Sequence, residues 1–268
     1  MKKQLLCISV FLALLLVFTL PCTAQTMKAR KLVKNVDMAL NNIETAVFKI
    51  DRKDMYFAKS DTVQRTAICS IQINREDPMS AYHKIDILDA NNNYTVTKYD
   101  GKHLFISTSS LDSLSFHPKT IIKNVNEDNF LSYAYRFNSY LIMGHYETKR
   151  SYRQLNSLLA RLFFIKKINV EEAIHNGTPV YILSVYTKNG RNFMDDAVMN
   201  HYIRKSDFLP IAYSFSGHFE NIEEYEYYEI DYLEINSNIL FEDFTISEED
   251  KKQVLLNQYN NFIEKLNY

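Results

Sequence analysis

The chain has 268 residues, with 31 Lys and Arg against 32 Asp and Glu, 46% hydrophobic residues, and only five Gly and five Pro. The balanced charge and the apolar content exclude an intrinsically disordered chain and a nucleic-acid binder that depends on bulk positive charge. The low Gly and Pro content excludes collagen-like and linker-rich proteins. The sequence therefore predicts a packed globular protein, in which 19 Tyr and 17 Phe provide rigid apolar area for sheet faces.

The first 24 residues have the three-part layout of a secretory signal peptide. Lys2 and Lys3 form the positive start, residues 5–20 are an uncharged apolar run, and Ala24 is the small residue at the expected cleavage position. We therefore expect a signal peptide over residues 1–24, removed on export to the periplasm. The mature chain would have a net charge of −3, since it loses two lysines and no acids. We expect no membrane-spanning segment in it.

The cysteines agree with an exported chain that has no internal disulfide. Cys7 and Cys22 lie in the predicted signal peptide, so the mature chain keeps Cys69 alone. Lipid anchoring at Cys22 is the alternative to simple cleavage, but Pro21 stands where a Gly or Ala would be expected. Cys69 alternates with apolar residues along a strand-like run, which predicts a buried small hydrophobe rather than a reactive thiol.

An amphipathic helix is predicted at the start of the mature chain, ending near Asn41 and Asn42. Its apolar positions recur at helical spacing: Leu32, Val36, Leu40, Ile43 and Val47. A basic cluster lies on the same helix: Lys28, Arg30, Lys31 and Lys34. These basic residues are interpreted either as the solvated side of the helix or as a contact for anionic lipid headgroups.

From about residue 45 the hydrophobic period changes from helical to two, which predicts strands. Eleven strands are predicted: Thr45 to Ala58, Thr62 to Asn74, Tyr82 to Leu88, Tyr94 to Tyr99, Lys102 to Thr108, Ser113 to Ile122, Ile165 to Ile174, Pro179 to Thr187, Ala197 to Lys205, Leu209 to Phe219 and Ile222 to Ile235. Turn signals join neighbours at Asp100-Gly101, Asn176-Gly177 and Asn189-Gly190, and the first pair suits the positive φ angles of a tight hairpin. Consecutive strands should therefore be antiparallel.

Two further amphipathic helices are predicted between the sixth and seventh strands, at Phe130 to Leu141 and Ser151 to Phe164. A closing helix is predicted from its apolar positions: Leu255, Tyr259, Phe262, Ile263 and Leu266. Many antiparallel strands with helices gathered in a few places predict an α+β fold. We expect one domain over residues 25–268, built on a single large curved antiparallel sheet covered by α-helices.

Two short segments resemble the periplasmic lipoprotein-carrier superfamily, which includes the Lol-type carriers, their outer-membrane receptor and the RseB-type stress sensors. The first is the hairpin Tyr99-Asp-Gly-Lys-His-Leu-Phe-Ile106, and the second is Ile203-Arg-Lys-Ser-Asp-Phe-Leu-Pro210. The resemblance extends over most of residues 25–244. It implies a LolA-like fold, an incomplete β-barrel whose apolar concave face is covered by helices and holds acyl chains.

The apolar alternation along the strands and helices nominates the residues of such a cleft. The candidate ligand-binding residues are Ile71, Ile73, Ile85, Ile87, Leu104, Ile106, Phe137, Leu141, Leu159, Phe163, Val180 and Ile182. The competing interpretation is a filled core, because most curled sheets pack their interior with side chains. In the hollow interpretation each buried methylene of a lipid tail contributes roughly 0.8 kcal/mol to binding.

The sequence contains none of the motifs that carry nucleotide, hydrolase or metalloprotease chemistry. The seven histidines occur singly, so no metal ligand set and no cofactor are expected: His83, His103, His117, His145, His175, His201 and His218. The hydroxyl run from Ser107 to Ser110, with Asp112 and Ser113 beyond it, is interpreted as a turn rather than a nucleophile site. The chain is therefore predicted not to be an enzyme.

The most biased segment is residues 220–232, where carboxylates and tyrosines alternate. It is interpreted as a strand with one solvated and one packed face, with a possible bulge at Tyr227 and Tyr228. A calcium site or a surface for a cationic partner would use the same carboxylates. The solvated face is favoured, because charge on an exposed strand also discourages edge pairing.

Two functions follow from these features. The first is a non-catalytic periplasmic carrier or sensor that holds the acyl chain of a lipid or lipoprotein in an apolar cleft. The alternative is an exported accessory domain of the cell envelope with the same shape and a filled core, which binds an envelope protein partner and no ligand. Nucleic acid is not expected as a partner.

Overall fold

The structure is a computed structural model. It describes residues 29–55, 62–74, 81–110, 119–124, 165–188, 195–219, 222–238, 244–246 and 262–266. The predicted signal peptide, the two helices predicted before the seventh strand, and the turn at Asn189-Gly190 lie outside these residues. The strands pair into one sheet, and the strand order defines its architecture.

Eleven strands form a single antiparallel sheet in the order β6-β5-β4-β3-β2-β1-β11-β10-β9-β8-β7. The strands are β1 (Thr45–Met55), β2 (Val63–Ile73), β3 (Ala81–Asp89), β4 (Asn93–Tyr99), β5 (His103–Ser110), β6 (Lys119–Asn124), β7 (Ile165–His175), β8 (Thr178–Thr187), β9 (Asp195–Arg204), β10 (Pro210–Phe219) and β11 (Ile222–Ile235). The sheet is open, with β6 and β7 at its edges. The predicted α+β fold on one large curved antiparallel sheet is confirmed.

All eleven predicted strands are present, and most bounds agree within two residues. The largest difference among the described residues lies in the hydroxyl run, which was interpreted as a turn. The structure places Ser107 and Ser109 inside β5, where both are almost fully buried. Polar side chains can occupy a strand when neighbouring strands and covering segments enclose them, so the hydroxyl composition was a misleading turn signal here.

Helix α1, residues 29–41, packs on one face of the sheet, which we call the inner face. Its buried positions follow helical spacing: Ala29, Leu32, Val33, Val36 and Leu40. Arg30, Lys31 and Lys34 are exposed on this helix, and Lys28 lies outside the described residues. Val47 was grouped with this helix by spacing, but it lies in β1 and faces away from α1.

Asn236 fixes the exit of α1 against the last strand. Its side chain donates to the Asn42 carbonyl oxygen at 2.9 Å and accepts from the Glu44 amide at 2.8 Å. Asn236 has a φ of 54°, a left-handed conformation that asparagine tolerates better than most residues. These bonds join the end of the helix to the end of β11, and so hold α1 over the centre of the sheet.

The opposite face, which we call the outer face, is covered over β1 to β5 by the C-terminal part of the chain. Residues 262–266 form helix α2, whose Phe262 is 2% exposed and lies 5.7 Å from the ring of Tyr94. The cluster also contains Ile68, Val96 and Phe105 from alternate strand positions. The closing helix therefore docks on its own sheet, on the face opposite to α1.

Two hairpin turns carry the glycines that the sequence singled out. At the turn between β7 and β8, Asn176 and Gly177 both have positive φ, as a two-residue hairpin of the predicted kind requires. At the turn between β4 and β5 only Gly101 does, and the Asp100 carboxylate instead accepts from the amides of Lys102 and His103. This turn is thus centred one residue later than predicted.

Candidate ligand-binding site

A half-open pocket of about 430 Å³ lies between α1 and the strands at the β7 edge of the inner face. This volume falls within the range of small-molecule sites, about 300–1,000 Å³. The described residues that line it are Lys31, Leu32, Asn35, Val170, Glu172, Tyr181 and Phe208. The walls are mostly apolar and the charged groups belong to long side chains, so the pocket is suited to an amphiphilic molecule.

The turn between β9 and β10 places an aromatic side chain on this pocket. Arg204 donates two bonds to the Asp207 carboxylate at 2.7 and 3.0 Å, and the Phe208 amide donates to the Arg204 carbonyl oxygen at 2.9 Å. The Leu209 amide donates to Asp207 at 3.1 Å. These bonds make the turn compact and fix where its side chains project.

Phe208 has a φ of 62° within this turn. A bulky residue in the left-handed region costs on the order of 1–3 kcal/mol and persists only where its surroundings impose it. Its ring lies parallel to that of Tyr181, with centroids 6.3 Å apart and an interplanar angle of 2°. The strained backbone of this turn therefore places the ring of Phe208 in the wall of the pocket.

A lysine at the same turn places a positive charge at the rim of the pocket. Lys205 Nζ lies 2.6 Å from Glu172 Oε2 and 5.0 Å from the ring centroid of Tyr181. The side chain of Glu172 is 69% exposed and that of Lys205 is 28% exposed. An exposed pair of this kind contributes little to stability, so Glu172 can give way to another anion at low cost.

Five of the candidate cleft residues lie together on the inner face and are buried in the same cluster as the apolar side of α1: Ile71, Ile85, Ile87, Leu104 and Ile106. Ile73 packs against the same cluster and is partly exposed. Val180 and Ile182 point to the outer face, since Leu183 and Val185 occupy the inner positions of β8. Phe137, Leu141, Leu159 and Phe163 lie outside the described residues. Ligand binding by these residues stays a prediction.

None of the described pocket residues was among the candidate cleft residues, although Lys31 was named in the basic cluster that was interpreted as a solvated helix side or a contact for anionic lipid headgroups. The cleft was sought in apolar residues that alternate along strands and helices, whereas Phe208 and Lys205 lie in a turn. Val170 and Tyr181 lie on β7 and β8 but were not among the residues chosen from the alternation. The segment Ile203 to Pro210, quoted for its resemblance to the carrier superfamily, did contain the signal. The informative feature of this segment is a bulky residue, Phe208, directly after Asp207 in the turn.

Cys69 and two histidines are buried in the inner-face core. Burial raises the pKa of the Cys69 thiol well above its ordinary value, which confirms the prediction of an inert, buried residue. Burial lowers the pKa of His83 to about 4 and that of His201 to about 4. The ring of His83 stacks on that of Tyr99, with centroids 5.6 Å apart. These groups are neutral core residues at pH 7.

The acidic and aromatic strand β11 does not separate its carboxylates from its tyrosines. Tyr228 and Ile230 are buried on the inner face, but Glu226 is on that face too and accepts from Arg52 at 2.7 Å. Tyr225 and Tyr227 lie on the outer face with their rings 6.5 Å apart. The pairing with β10 is continuous through Tyr227, so the bulge expected there is absent.

The irregularity in β11 lies elsewhere. The register with β1 shifts between Val47 and Phe48, opposite Leu233. On the inner face, Asp54 is fully buried and accepts from Arg52 at 2.7 Å and from Arg65 at 3.1 Å. The charges at this end of the sheet are therefore used in ion pairs that join β1, β2 and β11.

A second cavity, of about 390 Å³, lies on the outer side near the β7–β8 turn. His175 Nε2 lies 3.0 Å from Glu229 Oε1, and Asn176 also donates to Glu229. Lys49 lies 3.1 Å from Asp51 in the same cavity. Most of the charged side chains in this cavity form ion pairs or hydrogen bonds with one another. Among the described residues, no group of three or more His, Cys, Asp or Glu side chains is arranged to hold a metal ion.

The sequence matches no protein-family model and no curated protein. Several solved structures are similar to the chain. They include the Pseudomonas aeruginosa MucA/MucB complex, at 10% identity and a TM-score of 0.40, over 83% of this chain and 62% of that chain. The Mycobacterium tuberculosis lipoprotein LppX matches at 6% identity and a TM-score of 0.36, over 80% of this chain and 98% of that chain.

A DUF1329 family protein from Desulfovibrio piger matches at 9% identity and a TM-score of 0.35, over 82% of this chain and 97% of that chain. These similarities are all distant, with identities of 6–10%. In the part of the chain that the structure describes, no helix is both long and apolar enough to cross a membrane.

Proposed function

We propose that the protein is a non-catalytic carrier or sensor of the cell envelope that binds the acyl chain of a lipid or lipoprotein in the pocket between α1 and the β7 edge. The observation that carries the proposal is the pocket of about 430 Å³ with an aromatic wall on a strained turn. A strained bulky residue is retained where function repays its cost.

The apolar part of the pocket supplies the binding energy for a tail. Leu32, Val170, Tyr181 and Phe208 present the carbon surface of one helix, two strands and one turn. A methylene that leaves water for such a surface contributes roughly 0.8 kcal/mol. Several methylenes therefore give useful affinity without a specific polar contact, as a carrier of lipid tails requires.

Export to the periplasm and removal of residues 1–24 belong to the same proposal. The alternative function, an accessory domain with a filled core, is favoured by the inner face of β1 to β5, where Ile71, Ile85 and Leu104 are buried. The two proposals differ in whether the purified protein retains a lipid. They are therefore separable by one measurement.

The test is native mass spectrometry of the protein purified from the periplasm without detergent. We expect a mass increment that disappears on organic extraction and returns when a dodecyl-chain lipid is added. In Val170→Trp the indole fills the pocket, and the increment should be lost. The matched control is Glu171→Trp, since Glu171 is exposed on the opposite face of the same strand.

The outcome that contradicts the carrier function is a wild-type protein that carries no lipid and takes up none when lipid is added. Equal loss of lipid in Val170→Trp and Glu171→Trp would also contradict the site, because it would indicate damage to β7 rather than occlusion of the pocket.

A variant of the strained turn tests the aromatic wall separately. In Phe208→Gly the backbone gains a residue suited to φ of 62°, which offsets part of the packing that the ring provides. We expect the free energy of unfolding to change by less than about 1 kcal/mol while lipid retention falls severalfold. Urea unfolding and native mass spectrometry on the same sample give both values. A stability loss above about 3 kcal/mol would instead assign the ring to the core.

A further inference from the structure

We infer that the pocket selects amphiphiles with an anionic head group, a carboxylate or a phosphate, which binds at the rim between Lys31 and Lys205. This inference rests on the proposed function and adds the chemistry of the ligand's polar end. It draws on the charges and contacts at the rim rather than on the apolar walls.

The rim carries a local charge opposite to that of the whole chain. Two of its groups, Lys31 and Lys205, are cationic, and Glu172 is its one anionic group among the described residues. The chain as a whole has a net charge of −1. Lys34 adds exposed positive charge on the same helix. Such a local surplus attracts anions and repels cations that approach the mouth.

Lys205 is positioned for a ligand rather than left to move freely. Its ammonium lies 5.0 Å from the ring centroid of Tyr181, over the same ring that stacks on Phe208. A cation held over an aromatic face keeps a preferred place, so less entropy is lost when an anion binds. The aromatic pair that lines the tail site thus also positions the cation for the head group.

Glu172 occupies the place of the head group when the pocket is empty. Its carboxylate lies 2.6 Å from the Lys205 ammonium and is largely exposed. An incoming carboxylate or phosphate makes the same charge-assisted bond and also reaches Lys31 and the Asn35 amide, which line the pocket. The exchange replaces a single exposed ion pair with several donors to one anion, and the tail adds its burial.

The experiment compares dodecyl amphiphiles that differ only in the head group, each below its critical micelle concentration, by isothermal titration calorimetry with the full mature protein. The ligands are dodecanoate, dodecyl phosphate, dodecyl maltoside and dodecyltrimethylammonium, with inorganic phosphate as an arm that has no tail. We expect the two anionic ligands to bind about tenfold or more tighter than the other two amphiphiles, and inorganic phosphate to bind far more weakly than dodecyl phosphate.

The variants assign the effect to the rim. Lys31→Met and Lys205→Met should each weaken the anionic ligands by about tenfold and leave dodecyl maltoside unchanged. Glu172→Gln should strengthen the anionic ligands severalfold, because the competing carboxylate is removed. Arg30→Met is the matched control, since Arg30 is exposed on the same helix and does not line the pocket. Urea midpoints of all four variants establish that they fold.

Each outcome has one meaning. Equal affinity for all four head groups overturns this inference and leaves the proposed function standing. Failure of every dodecyl ligand to bind overturns the proposed function itself. Inorganic phosphate that binds as tightly as dodecyl phosphate overturns the inference, because the site would then recognise a free anion without a tail.

Discussion

The first strands of the sheet, β1 to β5, and the last strands, β7 to β11, follow the same period of two but are covered differently. On β1 to β5, inner-face residues form one buried cluster with α1, and outer-face residues pack with α2 and Ile246; Phe48, Ile85 and Tyr94 are fully buried. At the β7 edge the positions that face α1 are only partly buried, as at Ile168 and Val170. Among the described residues, β1 to β5 contribute fully buried side chains, and strands at the β7 edge line the pocket.

The difference lies in what covers each half rather than in the strands. A regular alternation of apolar residues predicts that one face of a strand is apolar. That face can either pack against a helix or form the wall of a cavity. Helix α1 has buried positions that reach both halves, and its Lys31 and Asn35 side faces the pocket. The boundary between core and pocket therefore runs along one helix.

The largest expected effect comes from shortening one isoleucine in each half. Ile85→Ala in the filled half should cost about 4 kcal/mol of the free energy of unfolding, since its side chain is fully buried and leaves a cavity. Ile168→Ala at the β7 edge should cost about 1 kcal/mol, because the residue is already partly exposed. Urea unfolding of both variants gives the two values. Equal losses would break the comparison, since they would show that the β7 edge is packed as tightly as β3.

The second effect is a dependence of stability on pH from the two buried histidines, one in each half. The pKa of each is lowered from 6.5 to about 4 by burial, so the unfolded state binds a proton more readily than the folded state. The stability from the neutral form is fully present above pH 6.5 and is lost as the pH falls towards 4, by about 3 kcal/mol for each residue.

This dependence is measured as the free energy of unfolding from pH 7.5 to 4.5 in the wild type, His83→Leu and His201→Leu. Each variant should lose its share of the slope. A smaller share for His201, which lies on the half with the pocket, would show that water reaches it and would sharpen the comparison. No slope in the wild type between pH 6.5 and 4.5 would contradict the burial of both rings.

The smallest effect compares the two hairpin glycines. Gly101 has a φ of 90°, and a methyl group there would lie 2.7 Å from a ring carbon of Tyr82, whereas Gly177 has a φ of 79° with open space around it. Gly101→Ala should therefore cost about 2 kcal/mol and Gly177→Ala about 1 kcal/mol. Thermal unfolding midpoints order the two variants. The reverse order would mean that Tyr82 moves aside freely.

Most of the fold could be predicted from the sequence because apolar residues recur with the period of a helix or of a strand along each element. The strand from Ile222 to Ile235 was predicted with its observed bounds, and the opening helix was predicted to end where it does. The bulge in β11 was misplaced, because the shift opposite Leu233 arises from pairing with β1, about 185 residues earlier in the chain. Pairing between strands so far apart in the sequence cannot be recognised from the hydrophobic pattern of either strand.

The candidate site was predicted less completely, for a related reason. Ile71 and Ile85 were correctly grouped on one face, where both are buried, and their role in ligand binding stays a prediction. Val180 and Ile182 were chosen as cleft residues because they are apolar. Leu183 and Val185 form a second apolar alternation on β8, and it is these two residues that occupy the inner face. Which of two apolar faces turns inward is decided by the covering helix, and this information lies outside the strand.

The strand order has a consequence for how the chain can be divided. Strands β1 to β6 and strands β7 to β11 are each a meander in which every strand pairs with its sequence neighbour, and the pairing of β1 with β11 alone joins the two meanders. A chain cut between β6 and β7 would keep every pairing between strands that are neighbours in the sequence. We expect two separately produced fragments to reassociate through the pairing of β1 with β11. The ion pair between Arg52 and Glu226 would then form again between the fragments.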